Sequence, residues 1–391
     1  MELTQSNSVQ TQDKFRSPVI KVVGLGGAGC NTINHLMELN LPGIECIAAN
    51  TDVQVLQQSQ APTRIQLGPI LTRGLGSGGD PQIGEGSAEE SYQELDAALR
   101  GADLVFLTAG MGGGTGTGSI SIAARLAHSI DAVVISIVST PFSFESGKRQ
   151  INAREGIARL RPYSDTLIVV PNDRLLQVAP LDLPMEMAFR LSDDVLRQAI
   201  QSISELVTQT GLINIDFAHI LRIMRLGGGA YIAIGHGQGE GKAQQAIQSA
   251  LNHPLLESIQ LDQAKGVIIS FSGSSNLSMN EMVSALNDMR QRCHPDAEII
   301  PGMTNDPQMQ DRVQAILIVT GVGGTPIQNP NQAAAELYVS TTDRSSHRPS
   351  SQKPNNKESL NPIKASEDEL EVPAFIRRRN QILIQDHRTN G

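Results

Sequence analysis

Residues 110–118 read GMGGGTGTG and follow directly on the apolar run ADLVFLTA of residues 102–109. Six of the nine are glycine and two are threonine. Glycine tolerates positive φ and lets the backbone approach a ligand closely. A glycine-rich turn feeding a helix presents several N–H groups together with the positive end of the helix dipole. That arrangement is an anion cradle, and phosphate is the usual anion. Both flanks are present here, a buried-strand pattern before the turn and the helical ISIAARLAHSI (120–130) after it. The hydroxyls of Thr115 and Thr117 are expected to add bonds to phosphate oxygens.

A second glycine cluster, VVGLGGAGCN at 22–31, places Gly24, Gly26 and Gly29 in G-x-G-x-x-G spacing after another strand pattern. Asp52 then stands at about the distance expected of a ribose-binding acid, a weak pointer to a dinucleotide. A third cluster, TRGLGSGGDPQIG, spans 72–84. Three such loops suit a triphosphate better than a pyrophosphate. No Walker pattern occurs, because Gly-Lys at 147–148 and 241–242 is followed by Arg and Ala. No lysine lies between Lys21 and Lys148. Backbone amides and Mg²⁺ must then supply most of the positive charge.

Outward from these loops, short β-branched runs alternate with helical stretches. VIKVVG, IECIAAN, ADLVFLTAG, DAVVISIVS and DTLIVVP are near-continuously apolar, as strands buried on both faces are. The pattern implies an α/β fold with a Rossmann-like parallel sheet over residues 17–186. A long central helix (187–210) follows, with a wide stripe of Leu196, Ile200, Ile203 and Val207 suited to packing between two domains. A second α/β domain is expected over 211–323, with strands AYIAIG, GVIISFSG and QAILIVTGV. Residues 1–16 read as a disordered arm and 324–369, rich in Pro, Ser, Asn and Gln, as a flexible linker. The apolar and basic EVPAFIRRRN then suggests a docking peptide within 370–391.

Composition narrows the classes. The chain has 391 residues, 39% hydrophobic and 18% charged, an ordinary globular balance. A net charge of −9 argues against a chain that coats nucleic acid. The three cysteines are far apart, with no CxxC pair, which reads as a reducing, cytoplasmic compartment. No run of about 18 apolar residues spans a membrane. The eight histidines form no metal-ligand pattern and no G-x-S-x-G elbow occurs.

The loop GGGTGTG closely resembles the signature of the tubulin and FtsZ superfamily. The resemblance to the bacterial FtsZ branch, the cytoskeletal GTPases of the division ring, extends over residues 18–322. It is carried by GLGGAGCN, NTD (50–52), TRGLGSGGDP, PFSFE (141–145), PND (171–173), DDVLRQAI (193–200) and GLINIDFA (211–218). The terminal VPAFIRRR resembles that family's tail peptide. The resemblance implies GTP/GDP and Mg²⁺ as ligands, with phosphates held by Gly26, Gly27, Asn31, Gly112, Gly113, Gly114, Thr115, Gly116 and Thr117. Glu145 and Arg149 would contact the ribose and phosphate region. Asn172 and Asp194 would recognise guanine, with Phe189 against its ring. Hydrolysis would be completed between subunits of a head-to-tail filament, Asn214 and Asp216 reaching the neighbour's nucleotide. Val372, Pro373, Phe375, Ile376, Arg377 and Arg378 would dock on membrane adaptors of the division ring, making membrane association indirect.

The chain departs from the family pattern at His219, where a second acid is expected. A carboxylate holds water by its oxygens, whereas neutral histidine offers one acceptor and protonated histidine none. Slower hydrolysis follows, or else a tolerated substitution. Asp216 has a plain alternative as the N-cap of the next helix, with His219 facing solvent. Ser146-Gly147 also departs from the usual glycine and basic pair. Two competing functions are a slow or non-hydrolysing paralogue that co-assembles with another filament, and a nicotinamide oxidoreductase resting on Gly24, Gly26, Gly29 and Asp52.

Overall fold

In a computed structural model, the structure describes residues 18–322 apart from 178–179, 181, 209–212, 214–215, 227–228, 253–260 and 275. The expected arm, linker and tail peptide, with Val372, Pro373, Phe375, Ile376, Arg377 and Arg378, lie outside the described residues, as does Asn214.

The apolar runs form strands where β-branched residues fit a pleated, doubly covered surface. In chain order the first half comprises β1 (Ile20–Leu25), α1 (Gly26–Glu38), β2 (Ile44–Asn50), α2 (Val53–Gln58), β3 (Thr63–Gln66), α3 (Pro81–Glu90) and α4 (Tyr92–Leu99). It continues through β4 (Leu104–Gly110), α5 (Thr115–Ser129), β5 (Val133–Thr140), α6 (Gly147–Leu160), β6 (Thr166–Pro171) and α7 (Asn172–Leu175). The long α8 (Met185–Thr208) and α9 (Phe217–Met224) lead to β7 (Gly229–Gln238), α10 (Lys242–Leu251), β8 (Gly266–Gly273), α11 (Met279–Arg292), β9 (Glu298–Asn305) and β10 (Arg312–Val322).

All ten strands join one sheet in the order β3-β2-β1-β4-β5-β6-β7-β10-β8-β9. The first six are parallel throughout, the doubly wound order with its reversal between β1 and β4. β10 runs antiparallel between β7 and β8. The sheet is continuous across the boundary expected near residue 187, but it narrows there: β6 and β7 share only the pairs Leu167 with Gly229 and Ile168 with Ala230.

The central helix begins at Met185, two residues before the sequence suggested. Its stripe of Leu196, Ala199, Ile200 and Ile203 is fully buried. It belongs to one apolar cluster with Val22, Phe106 and Ile135 from the parallel half and Ile223, Ile268 and Ile316 from the other. Each such side chain contributes roughly 1.5–3 kcal/mol of hydrophobic burial, so α8 ties the two halves of the sheet together. A second cluster, with Leu107, Ile120 and Leu126, fills the face under α3 to α6. A third lies under α10 and α11, around Phe271, Met282 and Met289.

Candidate nucleotide site

In an open parallel sheet the crevice lies outside the carboxyl ends of the strands, where the strand order reverses. Here that point falls between β1 and β4, and the first two glycine clusters leave those two strands. Gly26 has φ +72°, and a Cβ there would meet the Gly116 N–H nitrogen at 2.8 Å. The two turns therefore touch, and α1 and α5 start side by side. A Cβ at Gly24 would sit 2.2 Å from Gly29 O, so these glycines serve close packing of α1 on β1.

The helix starts carry the electrostatics. α2, α3, α9 and α11 are capped by the side chains of Asp52, Asp80, Asp216 and Ser278. α1 and α5 begin at Leu25 and Gly114 with no side-chain cap and no acid in the first turn. The first turn of a helix leaves its N–H groups without intrahelical partners, and the dipole adds about half a positive charge. Both uncapped ends open on one cavity of about 320 Å³. Gly27, Ala28, Gly110, Met111, Gly113, Gly114, Thr115 and Gly116 line it there, with Ser77 and Gly79 from the third glycine cluster. Cβ atoms at Gly27 and Gly113 would meet nothing within 4 Å, so open space lies beside both backbones. A polyphosphate fits this end by chemistry: donors and dipoles converge and no acid opposes it.

The threonines behave differently from expectation. Thr117 is fully buried, and its Oγ1 accepts from Gly112 N at 2.8 Å, bracing the loop instead of facing a ligand. Thr115 Oγ1 shares hydrogen bonds with Thr51 Oγ1 at 2.6 Å and Ser77 Oγ at 3.0 Å, joining three loops. Gly26, Gly112, Thr117 and Asn31 thus shape the site from behind its lining. Asp52, the candidate ribose acid, accepts from Gln54 N and Val55 N as the cap of α2.

Ser139, Pro141 and Arg149 continue the lining beside Gly110 and Gly112, and Thr140, Glu145, Asn172, Phe189, Ser192 and Asp193 complete it. Glu145 accepts from Phe142 N at 2.8 Å and from the Arg149 guanidinium, which leaves Arg149 with further donors in solvent. Phe189 meets Phe142 edge to face at a centroid distance of 5.3 Å, and Phe142 stacks on Phe144 at 5.1 Å. Asn172 is buried and its Oδ1 accepts from Ser192 Oγ at 2.7 Å. Asp193 is buried and accepts from Asn31 Nδ2 at 3.2 Å. Burial lifts its carboxyl to about 6, against a smaller lowering by the Asn31 bond.

Asp194 is not in this cavity. Its carboxylate accepts from Arg197 Nε and Gln198 Nε2, both at 2.6 Å, and lines a separate groove beside His35, Leu39, Met187 and Leu191. The carboxylate that faces the nucleotide cavity is Asp193. Helix geometry explains the difference: Asp193 lies four residues after Phe189 and three before buried Leu196, on one face, while Asp194 is turned about 100° away. That periodicity was available in the sequence. Ser77 and Gly79 were signalled only by their glycine-rich cluster, and Ser139 and Thr140 by the end of β5.

Asp216 Oδ1 accepts from Ala218 N at 3.0 Å as the cap of α9. Asp216 and His219 are both exposed, and neither lines the cavity of its own chain. Among the described residues no group of three His, Cys, Asp or Glu side chains converges to hold a metal.

Residues 19–180 match the Tubulin/FtsZ family GTPase domain, and residues 228–323 match the FtsZ family C-terminal domain. The chain is 42% identical over 322 residues to cell division protein FtsZ 1 of Pyrococcus furiosus, covering 80% of this chain and 86% of that protein. It is 44% identical over 323 residues to FtsZ 1 of Pyrococcus horikoshii, covering 83% and 86%. An FtsZ dimer from M. jannaschii superposes with a TM-score of 0.75 at 41% identity, over 79% of this chain and 89% of that one. A GTPγS-bound protofilament of CetZ2 from Haloferax volcanii, 18% identical with a TM-score of 0.67 over 82% and 99% of the two chains, shares the fold. With both family domains matched in order and relatives aligned over about four-fifths of its length, the chain belongs to the FtsZ family of tubulin-like cell-division GTPases.

Proposed function

We propose that the chain polymerises head to tail when it binds GTP, and that GTP held in one copy is hydrolysed by residues of the next. One observation carries this reading: the phosphate end of the cavity is built to bind and not to react. Among its described lining residues no carboxylate, histidine or lysine occurs. The carboxylates that line the cavity are already engaged, Glu145 by Arg149 and Asp193 by Asn31. A water attacking the γ-phosphorus needs an acceptor to orient it as the bond to the β–γ bridging oxygen breaks. A second copy that brings Asp216 supplies one. Its Oδ1 caps α9, and its Oδ2 has no partner among the described residues. Such a contact is heterologous and propagates as a filament.

In this reading the uncapped starts of α1 and α5 hold the phosphates. Arg149 reaches the ribose and phosphate region. The guanine lies on Phe189, between Asn172 and Asp193. Mg²⁺ would neutralise phosphate charge and draw its ligands mainly from phosphate oxygens and water. Asn214 and His219 would face the neighbour's nucleotide, and His219 would slow hydrolysis. Val372, Pro373, Phe375, Ile376, Arg377 and Arg378 would dock on membrane adaptors, placing the protein in the cytoplasm at the division site. No helix among the described residues is long and apolar enough to cross a membrane.

The test is phosphate release from GTP against protein concentration, with polymer pelleted in parallel. Turnover that rises sharply above a critical concentration, with polymer in the pellet, supports the shared site. Turnover proportional to concentration, without polymer, overturns it. Polymer without turnover would favour the non-hydrolysing reading, whose motive is His219.

A further inference from the structure

Two hydrogen bonds at the base end of the cavity each consume one face of a residue and leave the other open. Ser192 Oγ donates to Asn172 Oδ1 at 2.7 Å, and Asn31 Nδ2 donates to Asp193 Oδ2 at 3.2 Å. Ser192, Asn172 and Asp193 are all buried and all line the cavity. A side-chain amide has one acceptor and one donor face. With Asn172 Oδ1 engaged by Ser192, the group left for a ligand is the Nδ2 donor. Asp193 offers the opposite chemistry, an acceptor at Oδ1. A purine edge that satisfies both has an acceptor beside donors, as guanine does with O6, N1–H and its 2-amino group. Adenine places a 6-amino donor against the Asn172 donor.

We propose that Ser192 is a positioning residue that sets nucleobase specificity: by holding Asn172 Oδ1 it fixes the donor face of that amide toward the purine 6-position. This rests on the reading that a guanine occupies this end of the cavity. Ser192 acts through Asn172. It sits three residues after Phe189 and next to Asp193, so one turn of α8 carries the ring support, the amide lock and the carboxylate. Among the described residues no other side chain hydrogen-bonds the Asn172 amide. Without the hydroxyl the amide turns over by half a rotation and accepts from a 6-amino group.

The test uses the full chain and four triphosphates, GTP, ATP and two analogues, competed against a fluorescent GTP analogue. 2-Aminoadenosine triphosphate changes the 6-position and N1 but keeps the 2-amino group. Inosine triphosphate keeps the 6-oxo group and lacks the 2-amino group. In Ser192→Ala the preference for GTP over 2-aminoadenosine triphosphate narrows by on the order of tenfold, the value of one mismatched hydrogen bond. The preference for GTP over inosine triphosphate, read by Asp193, stays as in the natural chain. Ser192→Thr restores the first ratio. Should the alanine variant lose its fold, Ser192→Cys keeps the volume, weakens the donor and narrows the same ratio. The proposal is overturned if the two ratios move together or if neither moves. A natural chain with no preference for GTP over ATP would instead overturn the underlying guanine reading.

Discussion

Acid should weaken nucleotide binding through a single buried carboxylate. Asp193 is 8% exposed and its carboxyl is raised from 3.8 to about 6 by burial. With Oδ2 held by Asn31, the ionised form offers Oδ1 as a free acceptor to guanine N1–H and the 2-amino group, whereas protonation puts an O–H donor there. With a pKa of about 6, roughly nine-tenths of free protein is ionised near pH 7 and roughly one-tenth near pH 5. Affinity for GTP should therefore fall about tenfold between those values, or about 1.4 kcal/mol. The terminal phosphate also titrates near 6, so the natural chain must be compared with Asp193→Asn, which keeps the phosphate effect and removes the carboxylate. The other ionisable groups lining the cavity, Glu145 and Arg149, are paired with one another. Calorimetry in buffers of different ionisation enthalpy would read both the affinity and the proton released as Asp193 ionises on binding. The stability sign is opposite. The folded carboxyl is raised, so the unfolded chain binds fewer protons between 3.8 and about 6, and unliganded stability rises as pH falls through that window. Asp193→Asn should then stabilise the unliganded protein at neutral pH by up to on the order of 3 kcal/mol while weakening GTP. An affinity ratio between the two pH values equal in the natural chain and in Asp193→Asn would refute this reasoning.

Four further outcomes are expected. A Cβ at Gly118 would lie 2.1 Å from Pro81 O, so Gly118→Ala should push α3 from α5 and lower thermal stability by about 1–3 kcal/mol. Gly113→Ala meets open space and should keep the natural melting temperature while losing GTP affinity, because its methyl enters the cavity; equal melting losses in both variants would contradict the assignment of that space to a ligand. His219→Asp should raise phosphate release per polymerised subunit by on the order of tenfold or more, with pelleting unchanged, if a second acceptor is what the shared site lacks. Deleting residues 370–391 should leave polymerisation and turnover intact and abolish recruitment to adaptor-bearing membranes in a vesicle assay.

The parallel half of the sheet was legible because its strands are buried on both faces and read as unbroken apolar runs. β3 and β9 are the two edge strands and were not legible. β3 is four residues long with one buried position, and β9 carries Pro301 and Gly302 inside EIIPGMTN, a pattern tolerated at an edge. The glycine loops do meet at one cavity, as their composition led one to expect. The side chains of those loops were misread. Thr117 was expected to face phosphate, but it turns inward to the Gly112 N–H, a bond that closes the loop on itself and that no spacing rule specifies. Asp194 was expected in the site but lines the neighbouring groove, while Asp193 lines the cavity. Two identical neighbours differ by a third of a helical turn, and only the register of the apolar stripe tells which one faces the site.

The uncapped starts of α1 and α5, which converge on one cavity, and the buried Asp193 beside them argue that the site's affinity is stored in the unliganded fold. This chain places Asp or Ser at the starts of α2, α3, α9 and α11, where each cap is worth about 1 kcal/mol. α1 and α5, the two starts that meet in the cavity, have no such cap, as α4, α6, α7 and α10 also do not, and an ionisable carboxylate is buried in the same cavity. Each omission lowers the stability of the empty protein, and under the proposed reading each would be made good by a different part of one ligand: phosphate oxygens at the two helix starts, a purine edge at Asp193 and Asn172. Turnover calls for something else, an oriented water beside the phosphates, and the three glycine clusters contribute to the lining no acceptor side chain beyond the Thr115 and Ser77 hydroxyls, which already bond each other, Thr115 also bonding Thr51. Binding and hydrolysis are thus separable in this fold. Under the proposed reading such a chain would hold its nucleotide alone and draw the missing acceptor from a second surface, which is the physical reason to expect its activity to follow its state of assembly.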